Sequence, residues 1–241
     1  MNISKTIISL TKRFISKISR MYFTSNSKRY INHLRKRGVS VGSNCIFHPK
    51  STSIDMTRPS LITIGSNCYM NDNFTLLTHD WVSHVFIYSG RDFVNSSGKV
   101  TIGDNVSFGI NVTILKGVVI GDNVFIGAGS IVTKDIPSNC VAVGVPCKPI
   151  MSLDEYYEKR KKASLNEAKE YALSIKERYG RNPVVDDFWE EFPLFCSGSD
   201  VEKYPSLPIK AQLGPSYSRF VSSHKALYDS FDAFIESLDS D

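Results

Sequence analysis

A six-residue period runs through residues 100–146 and leaves few folds open to this chain. Ile102, Phe108, Ile114, Ile120, Ile126 and Val132 recur at every sixth position, and Val106, Val112, Val118 and Val124 keep the same step four places further on. Gly103, Gly109, Gly121 and Gly127 follow the first set. On an α-helix six residues amount to about 240° of rotation at about 100° each, which would scatter these side chains over three directions. In extended chain six is an even number, so both registers face the same way. The Gly and Asn residues between them tolerate the left-handed backbone conformations that corners need. A flat step, a corner and another flat step describe a chain wound into a prism with Ile and Val inside, the parallel β-helix of hexapeptide repeats. A sandwich of short strands would instead show turn signals about every 8–12 residues and no six-residue phase.

The phase can be followed outside this block. Val41-Gly42-Ser43-Asn44-Cys45 opens the first hexads, with Phe47 six residues after Val41; the phase breaks over 53–60 and restarts at Ile64-Gly65-Ser66-Asn67-Cys68, followed by Met70, Phe74 and Leu76. From Ile64 to Ile102 is six hexads and two residues more, so the prism must be interrupted between them. The interruption falls at about 79–99, a stretch without hexad phase that is rich in aromatic and polar groups. Long loops thrown out of a regular solenoid collect on binding faces and carry function more often than not.

The run IGDNVFIGAGSIVTKDIPSNCVAVGVPCKPI, residues 120–150, resembles the end of the hexapeptide-repeat domain in bacterial acyltransferases of the galactoside and maltose acetyltransferase kind. The resemblance covers residues 41–150. It implies a mainly β protein built on a left-handed parallel β-helix with three hexads per coil, a homotrimer, and an acyl-coenzyme A donor, acetyl-CoA in these relatives.

Around this domain the chain divides into a basic segment, 1–40, and a helical C-terminal region, 151–241. Residues 1–40 carry ten Lys and Arg and no acidic residue, although the whole chain is only +5. Ile3, Ile7, Leu10, Phe14, Ile15, Ile18 and Met21 gather on one side of a helical wheel, and Lys5, Lys12, Arg13, Lys17 and Arg20 on the other. Such an amphipathic basic helix suits an anionic membrane surface through residues 1–24, or packs its apolar face on the prism or a neighbouring subunit. The apolar run IISL is too short for a secretory signal, and no apolar run approaches about 18 residues, the length of a membrane span. The five cysteines form no close pair, and Cys45 and Cys68 fall on inward positions, which fits buried thiols in a reduced, cytoplasmic setting, with the inner face of the membrane as the peripheral alternative. Ser152-Leu153-Asp154-Glu155 reads as a capping box that opens a charged helix to about Tyr179, with Gly180 as its stop. Asn182-Pro183 begins a shorter helix, 196–214 reads as loop, and Ser216 to Leu238 is a third helical stretch carrying Phe220, Leu227, Phe231, Phe234 and Leu238. This appendage is an oligomer clamp or an acceptor-binding lid.

Acyl transfer from a thioester to a hydroxyl needs a base, donors for the developing oxyanion, and two substrates held in line. His79 stands at the mouth of the insertion in TLLTHD. In the related acetyltransferases a catalytic histidine occupies this place shortly after an N-x-T-aliphatic strand, matched here by Asn73, Thr75 and Leu76. His79 is therefore the expected general base, with His84 in reserve. Asp80 is the candidate to orient the imidazole. Asn71, Asp72 and Asn73 are acceptor-binding candidates or corner residues of the coil, and Trp81 and Tyr88 can stack on a sugar ring or pack within their own loop. The resemblance places Ala128 beside the pantetheine arm, where a larger side chain would obstruct it, and Thr133 and Lys134 near the adenosine phosphates; Lys148 is a further phosphate candidate. Two positions depart from the family pattern, Ser107 in place of a common tryptophan and Ile110 in place of a small polar residue. No histidine occurs between His84 and His224, so successive coils supply no zinc-binding triplet and no metal is expected. There is no P-loop and no nucleic-acid motif. The expected activity is acetyl-CoA-dependent O-acetylation of a sugar hydroxyl in a bacterial surface polysaccharide or its precursor. An N-acyltransferase acting on an amino sugar nucleotide and a non-catalytic β-helix scaffold are the alternatives.

Overall fold

Two or three extended residues and a corner make one side of the prism, and adjacent coils stack their sides as parallel strands. The computed structural model describes residue 19 and residues 21–239, in two compact units that divide between Tyr156 and Tyr157. In the first unit, β1 (Ser40–Val41), β4 (Ile62–Ile64), β7 (Val100–Ile102) and β10 (Val119–Ile120) form one parallel sheet. The second holds β2 (Ile46–Phe47), β5 (Tyr69–Met70), β8 (Val106–Phe108), β11 (Val124–Ile126) and β13 (Cys140–Val143), closed at its end by the antiparallel β14 (Lys148–Ser152). The third holds β3 (Ser53–Ile54), β6 (Thr75–Leu76), β9 (Thr113–Ile114) and β12 (Ile131–Val132). Three parallel sheets of this kind fit the left-handed β-helix that the resemblance implies.

Register brings like residues together. Ile64 lies opposite Ile102 and Ile102 opposite Ile120, while Leu76, Ile114 and Val132 form another inward column. These side chains are at most 1% exposed, and each one fully buried contributes about 1.5–3 kcal/mol. Cys45 and Cys68 are buried in the same interior, and all five cysteines are free thiols. At the corners, every non-glycine residue with positive φ among those described is an asparagine: Asn44, Asn67, Asn73, Asn105, Asn111, Asn123 and Asn139, with φ from 54° to 60°. Their side-chain amides bond from coil to coil, Asn105 to Asn123 at 2.8 Å and Asn123 to Asn139 at 2.9 Å. The corners thus satisfy their own polar groups.

The insertion is the one large break in this stacking. Ser66 and Asp104, which meet across adjacent coils, are 38 residues apart, whereas Asp104 and Asp122 are 18 apart. The additional chain leaves the corner after β6, forms the short α2 (Val82–Tyr88) and returns to β7. The phase break at 53–60 is the same corner one coil earlier, where a turn and the 3-10 segment Pro59–Leu61 replace the tight step. Before the first coil, α1 (Ser27–Lys36) packs Tyr30, Ile31 and Leu34 against β1 and β2, with the Tyr30 ring edge-on to Phe47 at 5.5 Å. The amphipathic helix expected over residues 1–24 lies, apart from residue 19 and residues 21–24, outside the described residues.

The charged helix starts and stops where its signals place it. In α3 (Leu153–Tyr179) the Glu155 N–H donates to Ser152 Oγ at 3.1 Å and the Ser152 N–H to Glu155 Oε2 at 2.7 Å, and Gly180 has φ +60°. In the second unit Ala168, Ala172 and Ile175 of this helix bury against Phe188, Phe192, Phe195, Phe220, Phe231 and Phe234. Three expectations need correction there. The helix expected after Asn182-Pro183 is two 3-10 turns, Val185–Phe188 and Phe192–Leu194, the second holding Pro193, which has no N–H to continue an α-helix. The stretch 196–214 is not plain loop, since Gly198–Lys203 is 3-10 and α4 spans Ile209–Leu213. The third helix is broken into α5 (Tyr217–Ser223) and α6 (Phe231–Glu236), because His224 turns extended and Ser230 caps a new start, leaving Leu227 exposed in the gap.

Candidate active site

The widened corner after β3 buries a carboxylate. Asp55 follows the inward Ile54, and its N–H donates to the Leu76 carbonyl of the next coil at 2.9 Å. Its side chain is 5% exposed and accepts from five donors. Thr57 donates through its N–H at 3.0 Å and its hydroxyl at 2.6 Å to Oδ1; Thr78 donates through its N–H at 3.1 Å and its hydroxyl at 2.5 Å to Oδ2. The fifth donor is Nδ1 of His79, 2.5 Å from Oδ2. Burial pushes this carboxyl up, but the hydrogen bonds from Thr57, Thr78 and His79 outweigh it and hold Asp55 well below the usual carboxylate range.

His79 is placed by the root of the insertion. The two limbs pair as a short antiparallel ladder, with His79 opposite Ser97 and the Gly98 N–H donating to the Thr78 carbonyl at 2.9 Å. An ionised Asp55 requires a proton on Nδ1, which leaves the lone pair of the imidazole on Nε2. The ring is 20% exposed and lines a cleft of about 240 Å³ together with Thr57, Arg58, Asp80, Trp81, Phe93 and Asn95. A fixed, carboxylate-backed imidazole at the mouth of a cleft is suited to accepting a proton from a bound hydroxyl.

Asp80 does not orient His79. Its Oδ2 accepts from Lys116 Nζ at 2.5 Å and from the Ser96 hydroxyl at 3.2 Å, and Oδ1 from the Val82 N–H at 3.1 Å. Adjacent residues in extended chain face opposite ways, so the carboxylate for His79 comes from the previous coil and Asp80 instead ties both limbs of the insertion to Lys116 of the next. The lysine contact holds Asp80 below its ordinary value. Asp55 stood in the sequence inside the stretch that lost hexad phase; the broken phase followed by D-x-T was the available signal. Thr57 and Arg58 were missed for the same reason, and Thr78, next to His79, because its partner Asp55 lies one coil earlier.

The remaining candidates are shared between two edges of the prism. Trp81 lines the cleft, but His84 and Tyr88 lie away from its lining, their rings 4.7 Å apart and Tyr88 81% exposed. Asn71 and Asn73 stand at the preceding corner, where the Asn71 side chain accepts from the Asp72 N–H and Asn73 donates to Asn111 at 2.9 Å. Asp72 there meets His48 at 3.1 Å and Ser51 at 2.6 Å. Ile110 and Ala128 continue this second edge, both exposed, and Gly109 approaches so closely that a Cβ on it would lie 2.5 Å from the Ala128 nitrogen. Thr133 and Lys134 follow β12 at the corner that carries Lys116 and the insertion, and Lys148 opens β14; all three are exposed. Ser107 lies on β8, opposite Phe125 of the next coil. Among the described residues no group of three His, Cys, Asp or Glu side chains is placed to hold a metal.

Comparison with known proteins agrees with this architecture. The family model for bacterial transferase hexapeptide repeats (six repeats) matches residues 99–134. The protein CapG of Staphylococcus aureus is 38% identical over 148 residues, which cover 58% of this chain and 86% of CapG. The galactoside O-acetyltransferase of Escherichia coli K12 is 47% identical over 118 residues, 48% of this chain and 55% of that enzyme, so the chain spans about half its length. Among solved structures, a maltose O-acetyltransferase from Clostridium difficile aligns at 29% identity over 59% of this chain and 87% of its own, with a TM-score of 0.41. From the stacked hexads and from these sequence relatives, the chain belongs to the bacterial hexapeptide-repeat transferases, and to the acetyltransferases among them.

Proposed function

We propose that this chain is an acetyl-CoA-dependent O-acetyltransferase whose acceptor is a sugar hydroxyl in a bacterial surface polysaccharide or its lipid-linked precursor. The observation that carries the reading is the His79 imidazole fixed through Nδ1 by the buried Asp55 at the cleft. In this mechanism Nε2 of His79 takes the proton of the sugar hydroxyl, and the oxygen attacks the thioester carbonyl. Collapse of the tetrahedral intermediate breaks the carbon–sulfur bond, and the coenzyme A thiolate takes the proton from the imidazolium. Asp55 stays ionised and stabilises that cation. Similarity to a galactoside O-acetyltransferase supports a sugar as acceptor.

The pantetheine arm of the donor is assigned to the edge of Ala128, where the side chain ends at a methyl group, and its phosphates to Thr133 and Lys134 at the corner that carries the insertion and to Lys148 at the start of β14. Because Ala128 and the His79 cleft stand on different edges of one chain, a homotrimer that sets one copy's edge against another's completes the site. Residues 1–24, basic and amphipathic in sequence, would seat the enzyme at the inner face of the membrane; equal co-sedimentation with anionic liposomes with and without them would remove that assignment.

Release of free thiol from acetyl-CoA, followed with a panel of bacterial glycans, tests the activity. His79→Ala and Asp55→Asn are expected to lower kcat by about 10²–10⁴-fold, the usual contribution of a positioned base. Full activity in His79→Ala would refute the role given to His79. No release from any glycan would refute the acceptor class.

A further inference from the structure

Arg58 lines the cleft beside His79, and the turn that holds the imidazole also fixes the arginine's backbone. The Thr57 N–H closes that turn on Asp55, Pro59 follows, and the Leu61 N–H donates to the Arg58 carbonyl at 3.0 Å. The two carboxylates near the cleft are already engaged. Asp55 lies behind the imidazole, and Asp80 is held by Lys116 and Ser96. No other carboxylate lines the cleft, and among the described residues none pairs with Arg58. The cleft is therefore lined, next to the proposed base, by an arginine that no carboxylate of the described residues compensates.

A guanidinium offers a planar fork of N–H donors that matches the two oxygens of a carboxylate or phosphate. The other walls complete a saccharide site. Trp81 and Phe93 are 75% and 67% exposed and give apolar faces for a sugar ring, while Thr57, Asn95 and Ser96 supply partners for hydroxyls. We propose that the acceptor is an acidic saccharide, whose carboxylate or phosphate is bound by Arg58 while a hydroxyl of the same or the adjoining sugar meets His79. This rests on the transferase reading and narrows its acceptor. Lys116 has a second consequence here: by neutralising Asp80 it removes the one carboxylate on the cleft wall that would repel such an acceptor.

The test compares matched acceptors with the full-length protein: a uronic acid oligosaccharide against its carboxyl-reduced form, and a glycosyl phosphate against the free sugar. Wild type is expected to favour the anionic member of at least one pair by about tenfold or more in kcat/KM, the effect of one charge-assisted contact. The pair that shows the preference identifies carboxylate or phosphate. Arg58→Gln should bring the ratio towards one through the acceptor KM, and Arg58→Lys should restore part of it. Equal kcat/KM for anionic and neutral members in wild type would overturn the proposal, as would a ratio unchanged in Arg58→Gln or a change confined to the acetyl-CoA KM. Calorimetric binding of the same saccharides separates this from the transferase reading. Arg58-dependent binding of the acidic member without thiol release would refute catalysis and retain the anionic ligand, whereas equal binding of both members refutes the proposal whatever the turnover.

Discussion

Five donors converge on the carboxylate of Asp55, and they make it a stability element as well as a catalytic support. Its folded pKa lies below the unfolded one, so the folded state binds this proton less readily than the unfolded chain. The stability it supplies is in full force above the unfolded value, about pH 4, and is lost as pH falls through the folded value. Asp55→Asn is therefore expected to destabilise the protein by about 2 kcal/mol at neutral pH, the worth of hydrogen bonds to a charged group. In urea denaturation the gap from wild type should narrow as pH falls below about pH 4. A gap independent of pH would show that Asp55 acts through packing and not through its charge.

At the scale of the element, the corner decides more than the strand. Strands of two or three residues bury one or two side chains each, while the corner must hold a left-handed residue and satisfy its polar groups. Asn105 does both, with φ 57°, an N–H to the Ser66 carbonyl at 2.8 Å and an amide to Asn123 at 2.8 Å. Asn105→Ala is expected to cost about 1–2 kcal/mol through the left-handed backbone, with the ladder bond in addition. Asn105→Gly should recover the backbone part, since glycine enters that region freely. Equal losses in denaturant titrations would place the whole effect in the amide ladder. Five of the seven corners, Asn105 among them, carry G-x-N in the sequence, because the conformation selects the residue type. The same local logic made the capping box at Ser152 and Glu155 readable, since each partner is within one helical turn of the other. It failed over 183–238, where a cluster of phenylalanines decides which short segments stay helical.

On the scale of the whole molecule, the homotrimer proposed above predicts that sedimentation equilibrium at micromolar concentration gives three times the monomer mass of about 27 kDa. An active monomer would require Ala128 and His79 to serve one site across a single chain. The six-residue period determined the prism by itself, because alternation and corner chemistry are local and repeat at fixed spacing. It also determined where the insertion leaves and that His79 stands at its root. Which carboxylate backs His79 was decided only by stacking. Asp55 and His79 are 24 residues apart in sequence and meet because Ile54 pairs with Leu76 one coil on, whereas Asp80, the neighbour in sequence, is turned to Lys116, 36 residues away. The charge of the cleft was likewise a tertiary matter, since Arg58 gains its meaning from two carboxylates engaged elsewhere. A repeat writes its own backbone into the sequence, but a site assembled across coils depends on register, which is set by the lengths of all the corners between its members.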